Sequence, residues 1–387
     1  MIFGEPIRLA EFTNGFVLGG GEVQFVELLR SLPDHYTVSL AALDPTGPLL
    51  EGVLGMGYSP AVFGLGGSVL SLNTLRQIRR FARWLRTNQI QLVHAHDLYT
   101  ALVAVPAAKI AGCRVIVGRL DLLHFQARMR RVAMRALSRA ADHVIANAIA
   151  IQRMLIEKEG IPPDRVTLIY NGIDIAAFDR RVRQGPSLPL PETGSAPVAV
   201  LVANMSDQVK RQEDFLVAMA QARTRFPELQ AFLVGDGRRR AELEKLAAGL
   251  RLKPAAHFLG HRVDVPAILA RATIGVLCSE KEGLSNAVIE GMAGRLPMIV
   301  TDTGGNPELV KDGERGLVVP VGRPSELSAA MVKLLENPAT SRRMGEAGRQ
   351  FVEKEMGLSR MVLAHDLLYR SLLSEEPEAV VAGRVNG

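Results

Sequence analysis

Between residues 7 and 170 the chain alternates short apolar, β-rich runs (IRLAEF, YTVSLAAL, IQLVHAH, CRVIVG, HVIANA and VTLIY) with stretches of helical spacing. That alternation is the signature of a doubly wound parallel α/β sheet. It stops at RRVRQGPSLPLPETGSAP, Arg180 to Pro197. Proline and small polar residues there rule out a helix interior or a central strand, so the segment reads as a flexible linker. A second alternation follows, VAVLVANM, AFLVGDG, HFLG, TIGVLCS, LPMIVT and GLVVP. The expected organisation is an N-terminal Rossmann-like domain over 1–180, a linker over 181–197 and a second Rossmann-like domain over 198–355. A C-terminal helix over 356–375 packs back on the first domain, and 376–387 form a tail. A chain of 387 residues exceeds one hydrophobic core, which agrees with two domains.

The net charge of +6 is modest, but the arginines are clustered. Arg76, Arg79, Arg80 and Arg83 fall at helical spacing with Leu75, Ile78, Ala82 and Leu85 opposite, and Arg128, Arg131, Arg135 and Arg139 repeat the stripe without an acid between them. Such faces are either simply solvated or drawn to anionic phosphates, as on a membrane surface. Aromatic residues make up 5% of the chain and form no stacking platform, which argues against nucleic acid. Cys113 and Cys278 each adjoin an apolar run and read as buried thiols of a reducing compartment. No basic leader precedes an apolar stretch, and no run approaches the roughly 20 apolar residues needed to cross a bilayer. The expected location is cytoplasmic, with peripheral attachment to the inner face of the membrane as an option.

In open parallel sheets, ligands bind beyond the carboxyl ends of the strands. One such place is SEKEGLSNAVIEGMAGRLPMIVTDTGGNPELV, from Ser279, which sets Glu282 and Glu290 around an almost neutral run. Ser285 or Asn286 is a good N-cap for the helix that follows. A helix start after a glycine suits phosphate, and a carboxylate is a strong acceptor for sugar hydroxyls. Together they suggest a nucleotide sugar. The plainer alternative is two surface glutamates flanking a packing helix.

The string EGLSNAVIE resembles the E-x7-E motif of retaining glycosyltransferases of family 4, with the GT-B architecture of two Rossmann-like doubly wound domains facing across a cleft. GGGEVQ, VTLIYNGID, VANMSDQVKRQEDFLVAMA, FLVGDGRRRAELE, HFLGHRVDVPAILARA and TDTGGNPELVKDGERGLVVP look like that family's successive blocks, in the family's order. The resemblance implies that Glu290 binds ribose, that Glu282 binds a hydroxyl of the transferred sugar, and that the amides of Gly283, Leu284 and Ser285, beside Asn286, hold sugar and phosphate oxygens. Lys210 would neutralise the diphosphate, Gly20 would approach the distal phosphate, and Gly235, Gly237 and Arg262 would border the base.

Two positions depart from the pattern. Asn204 stands near the place of a second cation, for which Arg211 is the candidate substitute, and Arg119 occupies the place of a histidine facing the donor sugar. His94, His96 and His124 are the nearest histidines, and His96, just before Asp97, could face the cleft or be structural. The expected catalytic set is therefore Glu282, Lys210, Arg119 and His96. No Asp-x-Asp cluster is placed to hold a metal, so Lys210 and the helix dipole are expected to stabilise the leaving diphosphate. No cofactor is expected beyond the substrate, a UDP- or GDP-linked sugar, with a glycan or lipid-linked acceptor of the cell envelope. An epimerase or hydrolase of the same fold, or a non-catalytic phosphate- or membrane-binding protein, is the alternative.

Overall fold

The computed structural model describes residues 6–66, 71–121 and 128–374. They divide into two compact units, one of residues up to Gly172 together with those from Leu358 onward, the other Ile173–Gly357. His124 and the segment 376–387 lie outside the described residues.

The first unit holds a seven-stranded parallel sheet of β1 (Ile7–Thr13), β2 (Tyr36–Ala42), β3 (Ala61–Val62), β4 (Leu92–Ala95), β5 (Arg114–Arg119), β6 (His143–Ala146) and β7 (Val166–Leu168), in the order β3-β2-β1-β4-β5-β6-β7. Its crossovers carry α1 (Gly20–Ser31), α2 (Leu50–Gly55), α3 (Leu72–Thr87), α4 (Leu98–Ala111), α5 (Arg128–Ala140) and α6 (Ile149–Arg153). Among the described residues, the two-residue β3 is the one strand that hydrophobic runs do not reveal. β4 and β6 are buried throughout, and β1 and β5 over most of their length, which is why they read as continuous apolar runs. Asp97 starts α4 with a capping box to Thr100, and Gly112, at φ +83°, ends it in the left-handed region. On α3 the buried face is Thr74, Gln77, Phe81, Ala82 and Leu85, with Phe81 stacked against Trp84 and packed on Phe12 and Phe63. Leu75, expected on that face, is instead 54% exposed.

The second unit holds a six-stranded parallel sheet of β8 (Val198–Val202), β9 (Gln230–Val234), β10 (Ala256–Gly260), β11 (Ile274–Leu277), β12 (Met298–Thr301) and β13 (Gly316–Val319), in the order β10-β9-β8-β11-β12-β13. Its helices are α7 (Ile175–Gln184), α8 (Gln212–Ala222), α9 (Arg240–Gly249), α10 (Val265–Leu269), α11 (Asn286–Ala293), α12 (Asn306–Val310), α13 (Pro324–Glu336) and α14 (Pro338–Glu355). The chain then returns to the first unit with α15 (Leu358–Leu373), where Met361, Val362, Leu368 and Tyr369 join a core with Leu9, Leu92 and Ile116. Asp366 fixes its position by accepting hydrogen bonds from Tyr36 (2.7 Å) and pairing with His35 (2.8 Å).

The expected boundary at 180 and the flexible linker over 181–197 need correction. The unit boundary falls after Gly172, and residues 175–184 form α7, capped by Asp174 and packed through buried Phe178. The proline-rich part is tethered rather than loose, because Asp264 accepts a hydrogen bond from the Ser187 amide (2.6 Å) and Arg262 donates to the Leu188 carbonyl (2.9 Å).

Candidate active site

Each sheet has one place where neighbouring strands send their connections in opposite directions, β1/β4 in the first unit and β8/β11 in the second. Ligands of such sheets bind at these switch points. In the second unit the loops after β8 and β11 are joined there by the Glu280 amide donating to the Val209 carbonyl (2.7 Å), and Lys210 Nζ lies 2.6 Å from Glu282 Oε1. The Ser285 hydroxyl accepts from the Val288 amide and caps α11. The amides of Gly283, Leu284 and Ser285 make no hydrogen bond to another described residue, while Asn286 opens the helix. One turn on, Glu290 is partly exposed; burial raises its carboxyl pKa to about 7, against the opposing attraction of Arg181.

A second loop, TDTGG, props this one from behind. Thr301 and Thr303 donate to the carbonyls of Ser279 (2.6 Å) and Glu280 (3.0 Å), and the Gly305 amide donates to Gly283 (2.7 Å). A Cβ at Gly304, φ +55°, would stand 2.0 Å from the Glu282 carbonyl oxygen. Only glycine allows that approach. None of these supporting residues was singled out from the sequence, although the TDTGG block that contains them was.

Other expected donor residues have structural duties. Gly235 and Gly237 press on the backbone of Ala203 and Met205, where a Cβ would meet atoms at 2.0 and 2.4 Å. They shape the loop that carries exposed Asn204 and Lys210. The Asn204 carbonyl accepts from buried Gln212 (2.6 Å). Arg211, at φ +48°, does not stand open to compensate for Asn204: one turn along α8, Asp214 takes its guanidinium at 2.5 and 3.1 Å. Arg262 is buried and doubly bonded to Asp264 (2.8 and 2.6 Å), so it anchors residues 187–188 instead of bordering a base.

In the first unit a cavity of 280 Å³ opens at the carboxyl ends of β1, β4 and β5, lined among others by Thr13, Gly21, Glu22, His96 and Asp97. Gly20 is the first residue of α1, and the Glu22 carboxylate folds back over that helix start, 2.2 Å from where a Cβ of Gly19 would be. Burial raises the Glu22 pKa, its own amide opposes this, and Asp97 adds to the rise. His96 reaches the cavity wall. Arg119 contradicts its expected role. Its guanidinium turns into the protein, 1% exposed, and makes paired bonds of 2.9 Å to both carboxylate oxygens of Glu159 and one of 3.1 Å to Ser138. As the last residue of β5 it serves the core, because a buried guanidinium must be matched by a carboxylate.

Sequence comparison matches residues 18–177 to the family described as Glycosyltransferase Family 4 and residues 196–337 to Glycosyl transferases group 1. The chain is 27% identical over 230 residues to N-acetyl-alpha-D-glucosaminyl L-malate synthase of Bacillus anthracis, covering 59% of this chain and 60% of that protein. It is 30% identical over 141 residues to the putative glycosyltransferase EpsD of Bacillus subtilis, covering 36% and 37%. These matches therefore span less than two thirds of either relative. Anabaena Alr3699/HepE, solved in complex with UDP, superposes with a TM-score of 0.82 over 94% of this chain and all of the other at 20% identity, which speaks for the fold. Two parallel-sheet units, each with its loops gathered at a switch point, and two family matches that between them take in both units place the chain among the family 4/group 1 glycosyltransferases of the GT-B fold.

Proposed function

We propose that the protein is a retaining, metal-independent glycosyltransferase that moves a sugar from a UDP- or GDP-linked donor to a glycan or lipid-linked acceptor of the cell envelope. The observation that carries this reading is the meeting of Lys210 and Glu282 at the switch point of the second sheet, beside three unbonded amides and the start of α11. A diphosphate would draw Lys210 away from Glu282, and Glu282 would then be released to a sugar hydroxyl. Donors aimed at the departing phosphate bind it more tightly as its charge grows, which is what lowers the barrier. Glu290, one turn further, would take the ribose hydroxyls. HepE was solved with UDP and with UDP-glucose, which favours a uridine donor.

The first unit supports a membrane-borne acceptor. Arg76, Arg79, Arg80, Arg83 and Arg86 on α3, and Arg131, Arg135 and Arg139 on α5, are exposed. Leu72 (86%), Met129 (72%) and Val132 (61%) lie exposed among them, the mixture that suits an anionic lipid surface. Among the described residues no helix is long and apolar enough to cross a membrane.

The test is to screen nucleotide sugars for thermal stabilisation, where a true donor at a hundred times its dissociation constant adds about 2.7 kcal/mol, and then to follow donor consumption in EDTA. A transferase consumes donor only with acceptor; an epimerase converts it alone, and a binding protein leaves it intact. Loss of turnover in EDTA, restored by magnesium or manganese, overturns metal independence.

A further inference from the structure

At the switch point of the first sheet, Glu11 is fully buried in the middle of a mostly apolar sheet, opposite His94 in the parallel register. A carboxylate there must be matched by hydrogen bonds. Glu11 Oε2 lies 2.5 Å from His96 Nε2, Oε1 accepts from Tyr369 of α15 (3.0 Å), and the Tyr369 oxygen lies 2.8 Å from His94 Nδ1. Burial alone would raise the Glu11 pKa, but the two histidines beside it bring it well below the usual carboxylate range. Burial, followed by the neighbouring His96, lowers His94 to about 4, so His94 is neutral.

These facts order the protons. An ionised carboxylate only accepts. Tyr369 must then point its hydrogen at Glu11, so its oxygen takes the hydrogen of His94 Nδ1, and His96 must point Nε2–H at Glu11. His96 Nδ1 is left without a partner among the described residues, on a ring that lines the cavity. Ligand atoms of Glu11, His94 and His96 do come within 4.8 Å of one another, as at a metal centre. The 2.5 Å between Nε2 and Oε2 is nevertheless hydrogen-bond spacing, since two ligands with bonds of about 2.0 Å at a tetrahedral angle stand roughly 3.3 Å apart.

We propose that Glu11 and Tyr369 are positioning residues that hold His96 in one tautomer, with Nδ1 bare to accept a hydrogen bond from a hydroxyl of a sugar-like acceptor in the first unit's cavity. This rests on the transferase reading for the identity of the ligand, but the tautomer does not. A third residue that orients a histidine by bonding its far nitrogen is the logic of hydrolase triads, here with its last member on a helix that returns from the far end of the chain.

Two measurements on the full chain decide it. Long-range proton–nitrogen correlation of 15N-labelled protein should show His96 protonated on Nε2 in the wild type, and a mixture of tautomers in Glu11→Gln, whose amide can donate as well as accept. Nδ1 protonation in the wild type, or an unchanged tautomer in Glu11→Gln, overturns the proposal. Next, UDP release from UDP-glucose, or from the donor found in the screen, is followed with methyl glucoside as probe acceptor. Tyr369→Phe should lower kcat about ten-fold, as expected for a bond to a charged group, with the donor KM unchanged. His96→Asn, whose amide falls where Nδ1 was, should keep more activity than His96→Gln, whose amide falls at Nε2. The reverse order overturns the proposal. If the wild type releases no UDP from any donor, the transferase reading fails while the nitrogen spectrum still decides the relay.

Discussion

Lys210 and Glu282, 72 residues apart, close on each other at 2.6 Å where the loops of β8 and β11 meet, each satisfying the other's charge. The pair makes the two residues separable by experiment. Lys210→Ala should weaken UDP binding and lower turnover by roughly a hundred-fold or more, the scale for a lost oxyanion donor. Glu282→Ala should lower turnover too, yet leave UDP binding equal or tighter, because it removes a competitor for Lys210 and UDP carries no transferred sugar. Calorimetry that finds both variants equally weakened for UDP would contradict these assignments.

Glu290 carries a pH signature. Its carboxyl has a pKa of 4.5 ordinarily and about 7 in the fold, because of burial. Between those values the folded chain keeps a proton that the unfolded chain has lost, so stability falls as pH rises from about 4.5 to about 7, by at most about 3 kcal/mol. Glu290→Gln should abolish that slope. Ribose hydroxyls favour the ionised form, so UDP binding should tighten as pH rises through 7 in the wild type only. A UDP affinity that is flat with pH would remove Glu290 from the site.

The buried histidines of the first unit act in the opposite sense. Burial lowers His94 to about 4 and His365 to about 3, so the unfolded chain binds protons first on acidification. Stability of this unit should therefore fall as pH drops from about 6.5 toward 4. Calorimetric scans across that range should show the loss reduced in His365→Leu; identical pH dependence in that variant would mean His365 takes up its proton inside the fold.

Arg119 should prove to be a stability residue. Arg119→Ala strands Glu159 beside a buried site and should cost about 3–5 kcal/mol, whereas Arg119→Met combined with Glu159→Leu should recover most of it. Denaturant midpoints give the answer. Wild-type stability with reduced turnover in Arg119→Ala would return the residue to catalysis.

The arginine faces of α3 and α5 should hold the protein on vesicles containing phosphatidylglycerol and not on neutral ones, each near-surface arginine contributing about 1 kcal/mol. Charge reversal at Arg76, Arg79, Arg80 and Arg83 should release it, as should high salt. Equal binding to neutral vesicles would leave these faces merely solvated.

Much of this was legible in the sequence because it rests on local pattern. Twelve of the strands announce themselves as apolar runs, and the loop around Glu282 and the cap at Ser285 follow from strand, glycine and helix signals. What escaped is what depends on distant partners. Arg119 looks like a residue open to a ligand until Glu159, forty positions away, is seen to claim it, and Arg262 is claimed by Asp264 and Leu188. Glu11 was legible in principle, as a carboxylate inside an apolar strand, but its meaning needs Tyr369, 358 positions later. The loop over Gly304 and Gly305 was visible only as a glycine pair, since a close backbone approach leaves no mark on the neighbour it touches.

The return of α15 to the first unit sets an order of events at the ribosome. The chain up to Gly172 emerges early, but the whole second unit must be made before Tyr369 can reach Glu11 and Asp366 can reach Tyr36. At about 5–20 residues per second, the nascent first unit waits many seconds with a buried acid lacking one donor and an apolar flank uncovered along Leu9, Leu92 and Ile116. Under the proposed relay, orientation of the histidine that faces the cavity waits for the synthesis of α15, and a product cut short before that helix should be cleared by proteases.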